Sequence, residues 1–359
     1  MTFRIAIALL IAASFASPAF TQDVELHDVF IGGEDGYHTY RIPALLIAED
    51  GSLLAFCEGR KQNAGDTGDI DLVMKRSEDD GASWSALQVI HEEGGDAPIT
   101  IGNPCPILEP HSGVVHLLFT RNNKRLFSTA SSDNGLTWST PIERTEILDS
   151  LDCDWIRVAS GPVHGIQTRT GRLIAPLWLS DAEREDRNKD DAIDRYRCGI
   201  LYSDDGGDTW QTGGLVPATL NRLNECTVAE IKDRLLLNIR CTDAGARAVS
   251  YSQDGGATWS EPVLDESLPC PTCQASLLRS TLGNESRHYF SNPASATSRE
   301  SMTLRISEDD CETWPTSIVL YEGPSGYSDL AELHDSRIAC LFECGETQYS
   351  EKISIAIIE

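Results

Sequence analysis

The octapeptide SEDDGASW begins at Ser77 and returns four more times along the chain, in the form Ser-x-Asp-x-Gly-x-(Thr/Ser)-Trp. We call each copy a box. Asp, Gly and a hydroxyl residue at this spacing predict a tight turn, in which the carboxylate accepts backbone N–H bonds and the Trp is buried. One carboxylate per loop is too few for an EF-hand calcium loop. The later copies are SSDNGLTW from Ser131, SDDGGDTW from Ser203, SQDGGATW from Ser252 and SEDDCETW from Ser307, the last with Cys311 in place of Gly.

The same order of strands can be traced around each box from alternating apolar residues and β-branched enrichment. In the first unit the predicted strands are Arg41–Ala48, Leu53–Arg60 and Ile70–Ser77, followed by the box and a strand from Trp84. Six four-stranded units at this spacing are typical of a β-propeller. The first strands of the six units are predicted to begin near Arg41, Cys105, Pro162, Glu225, Thr272 and Tyr327.

The last unit has three predicted strands, Ser328–Leu333, Arg337–Glu343 and Ile353–Ile358, and no box. A spare strand at Val24–Ile31 would pair with this unit and remove an exposed sheet edge. The predicted fold is therefore all-β: one six-bladed β-propeller domain of four-stranded antiparallel blades over residues 21–359, with its ring closed by the N-terminal strand.

Residues 1–20 have the pattern of a signal peptide, with Arg4, an apolar run from Ile5 to Phe15, and small residues at Ser17 and Ala19. The apolar run is too short to cross a bilayer. We therefore expect a secreted or periplasmic protein without stable membrane insertion. We also expect it to act as a monomer.

The net charge of −27 comes from 29 Lys and Arg against 56 Asp and Glu. Nucleic-acid partners are disfavoured because phosphate binding needs a positive surface. Among the eleven cysteines, Cys270 and Cys273 form a CxxC motif that could be a local disulfide, a pair of buried thiols or part of a metal site. No second CxxC or His pair stands at a zinc spacing, so the first two are favoured and no cofactor is expected.

One end of the predicted blades collects charged and polar residues from the starts of first strands, the ends of second strands and the loops that follow them. The boxes lie at the opposite end and are interpreted as scaffold. Several arginines at one place in so acidic a chain predict a pocket for a small carboxylate, because guanidinium presents paired N–H donors. The residues at this end are Arg41, Arg60, Asp66, Glu225, Arg240, Arg299 and Tyr327.

The motifs at these positions resemble the sialidase (exo-α-neuraminidase) family, and the resemblance covers essentially the whole chain after residue 20. The boxes alone are weaker support, since other propellers carry them. The matching stretches are Tyr40–Pro43, Cys57–Arg60, Asp66–Ser77, Asn224–Ile231, Asn238–Arg240, Ser291–Arg299 and Gly326–Leu330.

The resemblance implies an exo-α-sialidase that hydrolyses terminal α-ketosidic sialic acids on glycoproteins, glycolipids and oligosaccharides. Arg41, Arg240 and Arg299 are similar to three arginines that bind the substrate carboxylate, and Arg60 to a further arginine of the pocket. No metal takes part in the implied reaction, although a structural calcium ion stays open.

The resemblance also implies a retaining mechanism with a tyrosyl-glycoside intermediate, an exception to the usual two-carboxylate pattern. It makes Tyr327 the nucleophile, Glu225 its base and Asp66 the general acid and base. A neutral phenol suits this substrate, because a carboxylate nucleophile would approach the substrate carboxylate against like charge. Asp69 and Asp71 are local rivals to Asp66 that spacing alone does not separate.

Four points stay open in the sequence. A propeller of this kind could bind an acidic sugar without cleaving it, or act as a hydrolase or trans-glycosidase on a related acid such as KDN or Kdo. The charged insertion Asp181–Arg197 is either a solvated excursion or a specificity lid over the active end. Trp155 and Trp178 near the same end are expected to serve packing more than substrate contact, and Cys311 either pairs with another cysteine or occupies a strained turn.

Overall fold

The computed structural model describes residues 24–181, 196–220, 222–280 and 287–359. The proposed signal peptide and most of the insertion Asp181–Arg197 lie outside these ranges. The described residues form twenty-four β-strands and one short 3-10 helix, Thr145–Ser150. The strands are Val24–Ile31 (β1), Thr39–Ile47 (β2), Leu53–Arg60 (β3), Ile70–Ser77 (β4), Gln88–His91 (β5), Ile101–Glu109 (β6), Val114–Arg121 (β7), Arg125–Ser131 (β8), Ile142–Glu143 (β9), Arg157–Ser160 (β10), Ile166–Gln167 (β11), Leu173–Ser180 (β12), Tyr196–Ser203 (β13), Gln211–Leu215 (β14), Cys226–Ile231 (β15), Arg234–Arg240 (β16), Ala246–Ser252 (β17), Val263–Pro269 (β18), Ser276–Arg279 (β19), His288–Pro293 (β20), Glu300–Ser307 (β21), Thr316–Glu332 (β22), Ile338–Cys344 (β23) and Lys352–Ile358 (β24).

These strands pair in chain order into antiparallel sheets. Sheets I, II and IV are β2–β5, β6–β9 and β15–β18, and sheet III is β10, β12, β13 and β14 with β11 also paired to β12. The remaining seven strands form one continuous sheet, because the long strand β22 pairs through its first half with β21 and through its second half with β23. We treat this sheet as two units that share β22: sheet V (β19–β22) and sheet VI (β22–β24 and β1).

The N-terminal strand pairs antiparallel with the last strand, with Val24 opposite Ile358. This confirms the partner predicted for Val24–Ile31. Two first strands begin earlier than predicted: that of sheet II at Ile101 instead of near Cys105, and that of sheet III at Arg157 instead of near Pro162. The strand of sheet III is interrupted after Ser160, where Pro162 has no N–H to donate.

Sheet V differs from prediction in the opposite direction. Its first strand begins at Ser276 instead of near Thr272. The backbone of Thr272 has a left-handed φ of 53°, which belongs to a turn and not to an extended strand. Cys270 and Cys273 in this turn are buried thiols, and the Cys273 N–H donates to Cys270 Sγ at 3.4 Å. Within the ranges listed above, no group of three or more His, Cys, Asp or Glu could hold a metal ion.

Six hydrophobic clusters of the described residues each lie between two sheets that are neighbours in the chain order or between the last sheet and the first, and a small further cluster joins Ile42 to Cys270, Cys273 and Tyr327. One cluster joins the first sheet to the last, with Leu45 and Leu53 of sheet I against Leu341 and Ile355 of sheet VI. Five of the clusters also contain the Trp of a box, whose side chain packs between the two sheets. These five are Trp84, Trp138, Trp210, Trp259 and Trp314.

Each box is closed by a repeated set of hydrogen bonds. In the fourth box, Ser252 Oγ donates to Asp254 Oδ1 at 2.8 Å and accepts the Gly256 N–H at 2.8 Å, while Thr258 donates its N–H and hydroxyl to Asp254 at 2.9 and 2.6 Å. The fifth box keeps this pattern with Cys311 at a φ of 65°. Its cysteine therefore occupies the strained left-handed turn that was one of the two predicted alternatives.

We expect the box aspartates to make folding sensitive to strong acid. The hydrogen bonds from Thr258 lower the pKa of Asp254 to about 2 from an ordinary 3.8. Because the pKa of Asp254 is lower in the folded than in the unfolded state, its charged carboxylate stabilises the fold fully above about pH 4. This contribution is lost as the pH falls towards 2. Urea unfolding between pH 5 and pH 2 should show a weaker pH dependence for Asp254→Asn than for the wild type. The control Glu261→Gln, outside the boxes, should keep the wild-type slope; an unchanged slope in Asp254→Asn would contradict the expectation.

No helix in the described part of the chain is long and apolar enough to cross a membrane.

Candidate active site

One cavity of about 380 Å³ brings together all seven residues predicted from the sequence. None of the residues that line it belongs to a box, which agrees with the interpretation of the boxes as scaffold. The seven are Arg41, Arg60, Asp66, Glu225, Arg240, Arg299 and Tyr327.

Tyr327, Glu225 and Arg240 form a hydrogen-bonded group at the floor of the cavity. Glu225 directly precedes β15 and Arg240 ends β16, and the Arg240 N–H donates to the Glu225 carbonyl at 2.9 Å, so the two side chains leave neighbouring strands together. The Tyr327 hydroxyl donates a hydrogen bond to Glu225 Oε1 at 2.5 Å and accepts a hydrogen bond from Arg240 Nη1 at 3.0 Å. Arg240 also pairs with the second carboxylate oxygen of Glu225.

Burial decides the protonation state of this group. Desolvation and then the negative charge of Glu225 raise the pKa of Tyr327 well above its ordinary value of 10, although Arg240 and Arg299 act in the opposite direction. The phenol is therefore neutral at physiological pH, with its proton directed at a carboxylate that can receive it. A carboxylate in this position can take the proton of a phenol that reacts.

Arg41 is held by a carboxylate that the sequence analysis did not select. Its Nε and Nη2 donate to the two carboxylate oxygens of Glu343, both at 3.0 Å. Burial alone would lower the pKa of Arg41, but Glu343 raises it well above the ordinary value. Ile42, at a left-handed φ of 62° in a β-bulge, donates its N–H to the same carboxylate at 2.9 Å, and the Tyr327 N–H does so at 3.1 Å.

Glu343 could have been found from the sequence. It lies near the end of the second strand of the last unit, the position that Arg60 and Arg240 occupy in the first and fourth units. The prediction placed only arginines, Arg60 and Arg240, at the ends of second strands and so did not include Glu343. Glu343 is fully buried, so its four hydrogen bonds to Arg41, Ile42 and Tyr327 replace the water that a carboxylate normally requires.

We expect Glu343→Gln to lower the free energy of unfolding by about 3 kcal/mol, because it removes the buried charge partner of Arg41 and leaves the guanidinium only its longer contact with the partly exposed Asp66. Denaturant unfolding measures this change. The matched control is Glu308→Gln, which removes the carboxylate of an exposed pair with Arg287 and should cost less than about 1 kcal/mol. Equal losses in the two variants would contradict the importance of the Arg41 pair.

Asp66 is the partly exposed carboxylate of the cavity, with 42% of its side chain accessible. Its Oδ1 accepts hydrogen bonds from Arg60 Nη1 at 2.9 Å and from Arg41 Nη1 at 3.3 Å. Its rivals Asp69 and Asp71 do not line the cavity; both are buried and pair with Lys61. The geometry therefore favours Asp66 as the acid that a ligand can reach.

Arg60 is fixed by a second overlooked carboxylate, Glu58, two residues earlier on the same face of β3. Glu58 Oε2 accepts Arg60 Nη2 at 2.7 Å and Nε at 3.1 Å. Burial raises the pKa of Glu58, while Arg60 acts to lower it. The alternation of side chains along a strand places residues i and i+2 on one face, so this pair was readable from Leu53–Arg60.

Arg299 is the arginine of the three that is left open for a ligand. Its Nη2 donates to the Thr272 carbonyl at 2.9 Å, and among the described residues no carboxylate pairs with it. Its guanidinium lies 5.5 Å from the Tyr327 ring centre and 5.1 Å from that of Tyr349. A carboxylate ligand would supply the missing counter-charge beside Tyr327.

The opposite wall of the cavity belongs to sheets II and III. Trp178 lines it but is only 5% exposed, and it packs against Tyr196 with ring centres 6.1 Å apart. Trp155 packs against a core cluster and is not among the lining residues. Arg157 and Asn123 also line this wall.

A cluster of arginines around an open guanidinium, a buried tyrosine–glutamate pair and a reachable carboxylate are the features of an all-β glycoside hydrolase.

The comparisons with known proteins identify the family. Residues 51–340 match the family model described as a BNR repeat-like domain. The chain is 31% identical to the sialidase of Micromonospora viridifaciens over 91% of its own length, and it spans about half (53%) of that longer protein. It is 30% identical to sialidase-3 of Homo sapiens, covering 96% of this chain and 92% of the human protein. The chain belongs to the sialidase family.

Solved structures agree with this assignment. A Hadza microbial sialidase superposes on this chain with a TM-score of 0.80 and 29% sequence identity, and the match covers 92% of this chain and 67% of the other. The sialidase of Trypanosoma rangeli superposes with a TM-score of 0.75 at 20% identity, covering 93% of this chain and 59% of the other, and shares the fold.

Proposed function

We propose that this protein is an exo-α-sialidase that releases terminal sialic acids from glycoconjugates with retention of configuration. The observation that carries the proposal is the 2.5 Å hydrogen bond from buried Tyr327 to Glu225 in a cavity lined by Arg41, Arg240 and Arg299. A binding module has no use for a nucleophile joined to a base.

The substrate carboxylate binds to Arg299, Arg240 and Arg41. Arg299 supplies an uncompensated charge, while Glu225 and Glu343 hold the other two guanidiniums in place. Orientation and charge pairing in a site with little water lower the activation barrier by several kcal/mol.

In the first step the Tyr327 oxygen forms a bond to the anomeric carbon as the glycosidic C–O bond breaks. The phenolic proton passes to Glu225, and Asp66 gives a proton to the departing oxygen. The Trypanosoma rangeli sialidase, which has the same fold, has been solved as a covalent intermediate with 2,3-difluorosialic acid. That precedent supports a covalent step in this chain.

In the second step water attacks the anomeric carbon and gives a proton to Asp66, while the bond to Tyr327 breaks and the phenol regains its proton from Glu225. Two displacements at one carbon return the original configuration. Each group ends the cycle in its starting protonation state.

Release of 4-methylumbelliferone from its α-N-acetylneuraminic acid conjugate by the purified protein tests the function. We expect turnover, and we expect proton NMR to show that the released sugar appears first as its α-anomer. A folded protein that binds the free sugar without cleaving this conjugate or its KDN counterpart would contradict the proposal.

We further propose that sheets I to VI are the blades of a six-bladed propeller closed by β1. The pairing of β1 with β24 and the core cluster shared by sheets I and VI support this reading. Deleting Val24–Ile31 exposes the edge of β24 and removes the buried side chains of Val29 and Phe30. We expect the truncated protein to lose several kcal/mol of stability in urea unfolding; a stability equal to that of the full chain would contradict closure by this strand.

A further inference from the structure

Tyr349, in the loop between β23 and β24, lines the cavity but has no role in the proposed catalytic steps. The guanidinium carbons of Arg41 and Arg299 each lie over its ring, 5.1 Å from the ring centre. The ring also packs against Gly326, where an added Cβ would lie 3.0 Å from a ring carbon. Among the described residues its hydroxyl makes no hydrogen bond. Tyr349 therefore contacts the site through its aromatic ring and not through its hydroxyl.

The two arginines over this ring differ in how else they are held. Arg41 is fixed by two hydrogen bonds of 3.0 Å to a buried carboxylate. Arg299 donates one hydrogen bond, to the Thr272 carbonyl, and no carboxylate of the described residues pairs with it. Its guanidinium otherwise contacts the rings of Tyr327 and Tyr349. The face of an aromatic ring attracts a cation without neutralising its charge, so Arg299 stays available to an anion.

The loop that carries Tyr349 is tied together by one carboxylate. Glu351 accepts the N–H groups of Glu346, Thr347 and Gln348, each at 2.9 Å, and the Thr347 hydroxyl at 2.5 Å. The Thr347 hydroxyl and these N–H groups lower the pKa of Glu351 to about 2 from an ordinary 4.5, so the carboxylate is charged at physiological pH. A loop closed in this way presents the Tyr349 ring at a fixed place before a ligand binds.

We propose that Tyr349 is a positioning residue for the substrate carboxylate, and this proposal rests on the proposed function. Its ring holds the guanidinium of Arg299, and with it that of Arg41, in the geometry that receives the carboxylate. Without the ring Arg299 would sample more orientations, and ordering it would weaken substrate binding. The arginines hold the carboxylate in the ground state as well as in the transition state, so the effect falls on KM more than on kcat.

Tyr349→Leu tests the proposal, because it keeps an apolar side chain and removes the aromatic face. We expect KM for the methylumbelliferyl sialoside to rise by about tenfold, with kcat changed by less than about twofold. Tyr349→Phe keeps the ring and should hold KM within about twofold of the wild-type value. An unchanged KM in Tyr349→Leu, a loss that falls mainly on kcat, or an equal rise of KM in Tyr349→Phe would overturn the proposal.

Tyr202→Leu is the matched control. Arg172 lies 4.0 Å from the centre of the Tyr202 ring, but it pairs with Asp204, and both the ring and the arginine lie outside this cavity. The variant therefore loses the same kind of contact and should keep the wild-type KM and kcat. A rise of KM in Tyr202→Leu equal to that in Tyr349→Leu would show a general effect of lost packing and would also overturn the proposal.

A binding measurement separates this proposal from the proposed function. Calorimetry with the unsaturated analogue 2-deoxy-2,3-dehydro-N-acetylneuraminic acid needs no turnover, and its Kd should rise by about tenfold in Tyr349→Leu. A folded wild type that binds the analogue but cleaves no sialoside would overturn the proposed function, and the Kd of Tyr349→Leu would then decide the role of Tyr349. A wild type that neither cleaves nor binds would overturn both.

Discussion

Tyr327→Phe is expected to lower kcat/KM on the methylumbelliferyl sialoside by about a thousandfold or more, equivalent to about 4 kcal/mol of activation free energy. The variant removes one oxygen atom, and with it the atom that bonds to the anomeric carbon. The ring keeps its packing against Ile42, Cys270 and Cys273 and its contacts with the arginines. The loss should therefore fall on catalysis and not on folding.

A second tyrosine on the same strand provides the control. Tyr321 also belongs to β22 and donates its hydroxyl to a backbone carbonyl, that of Gly345, at 2.8 Å. Tyr321→Phe should cost about 1 kcal/mol of stability and leave kcat/KM near the wild-type value. Thermal unfolding of both variants separates the two effects. Near-normal turnover by Tyr327→Phe would show that another group, or water directly, attacks the sugar.

Glu225→Gln refines the assignment. The amide still accepts a hydrogen bond from Tyr327 but does not take up its proton. If Glu225 is the base, Glu225→Gln should lose nearly as much activity as Tyr327→Phe, because the two act as one unit, and the double variant should lose little more. Additive losses would indicate independent roles.

The repeats made most of the strand order predictable. Five boxes ending in Trp fix the turns between third and fourth strands, and Leu53–Arg60 and Ile70–Ser77 were predicted to the residue. The starts near Pro162 and Thr272 were wrong because backbone conformation decided them: one residue lacks an N–H and the other takes a left-handed φ. Neither effect is visible in hydrophobic alternation.

The same distinction applies to the cavity. Blade geometry and family resemblance together located the seven residues, because the ends of strands converge whatever their side chains are. The carboxylates that hold the arginines were missed, since Glu343 is separated from Arg41 by 302 positions in the sequence. Such a pair is created only when the first and last sheets meet.

Asp66→Asn should affect substrates according to their leaving groups. For a sialyl-lactose substrate, whose departing alkoxide needs a proton, kcat/KM is expected to fall by about 10³–10⁴-fold. For the methylumbelliferyl conjugate, whose phenolate leaves more readily, the fall should be about 10–100-fold, because kcat/KM reports only the step up to the first irreversible bond cleavage.

Arg41 and Arg60 both donate to Asp66 Oδ1. If Asp66 is the general acid, we expect a substrate carboxylate to compete for Arg41 and so to remove one of these two contacts from Asp66.

Asp69→Asn is the comparison variant, because Asp69 lies in the same loop but pairs with Lys61 beneath the cavity surface. It should lower stability and reduce kcat/KM on both substrates by similar factors, without a leaving-group effect. Equal losses on the two substrates for Asp66→Asn would mean that Asp66 acts by positioning Arg41 and Arg60 and not by transferring a proton. A selective loss on sialyl-lactose would leave proton donation as the role that accounts for both its exposure and its place in the cavity.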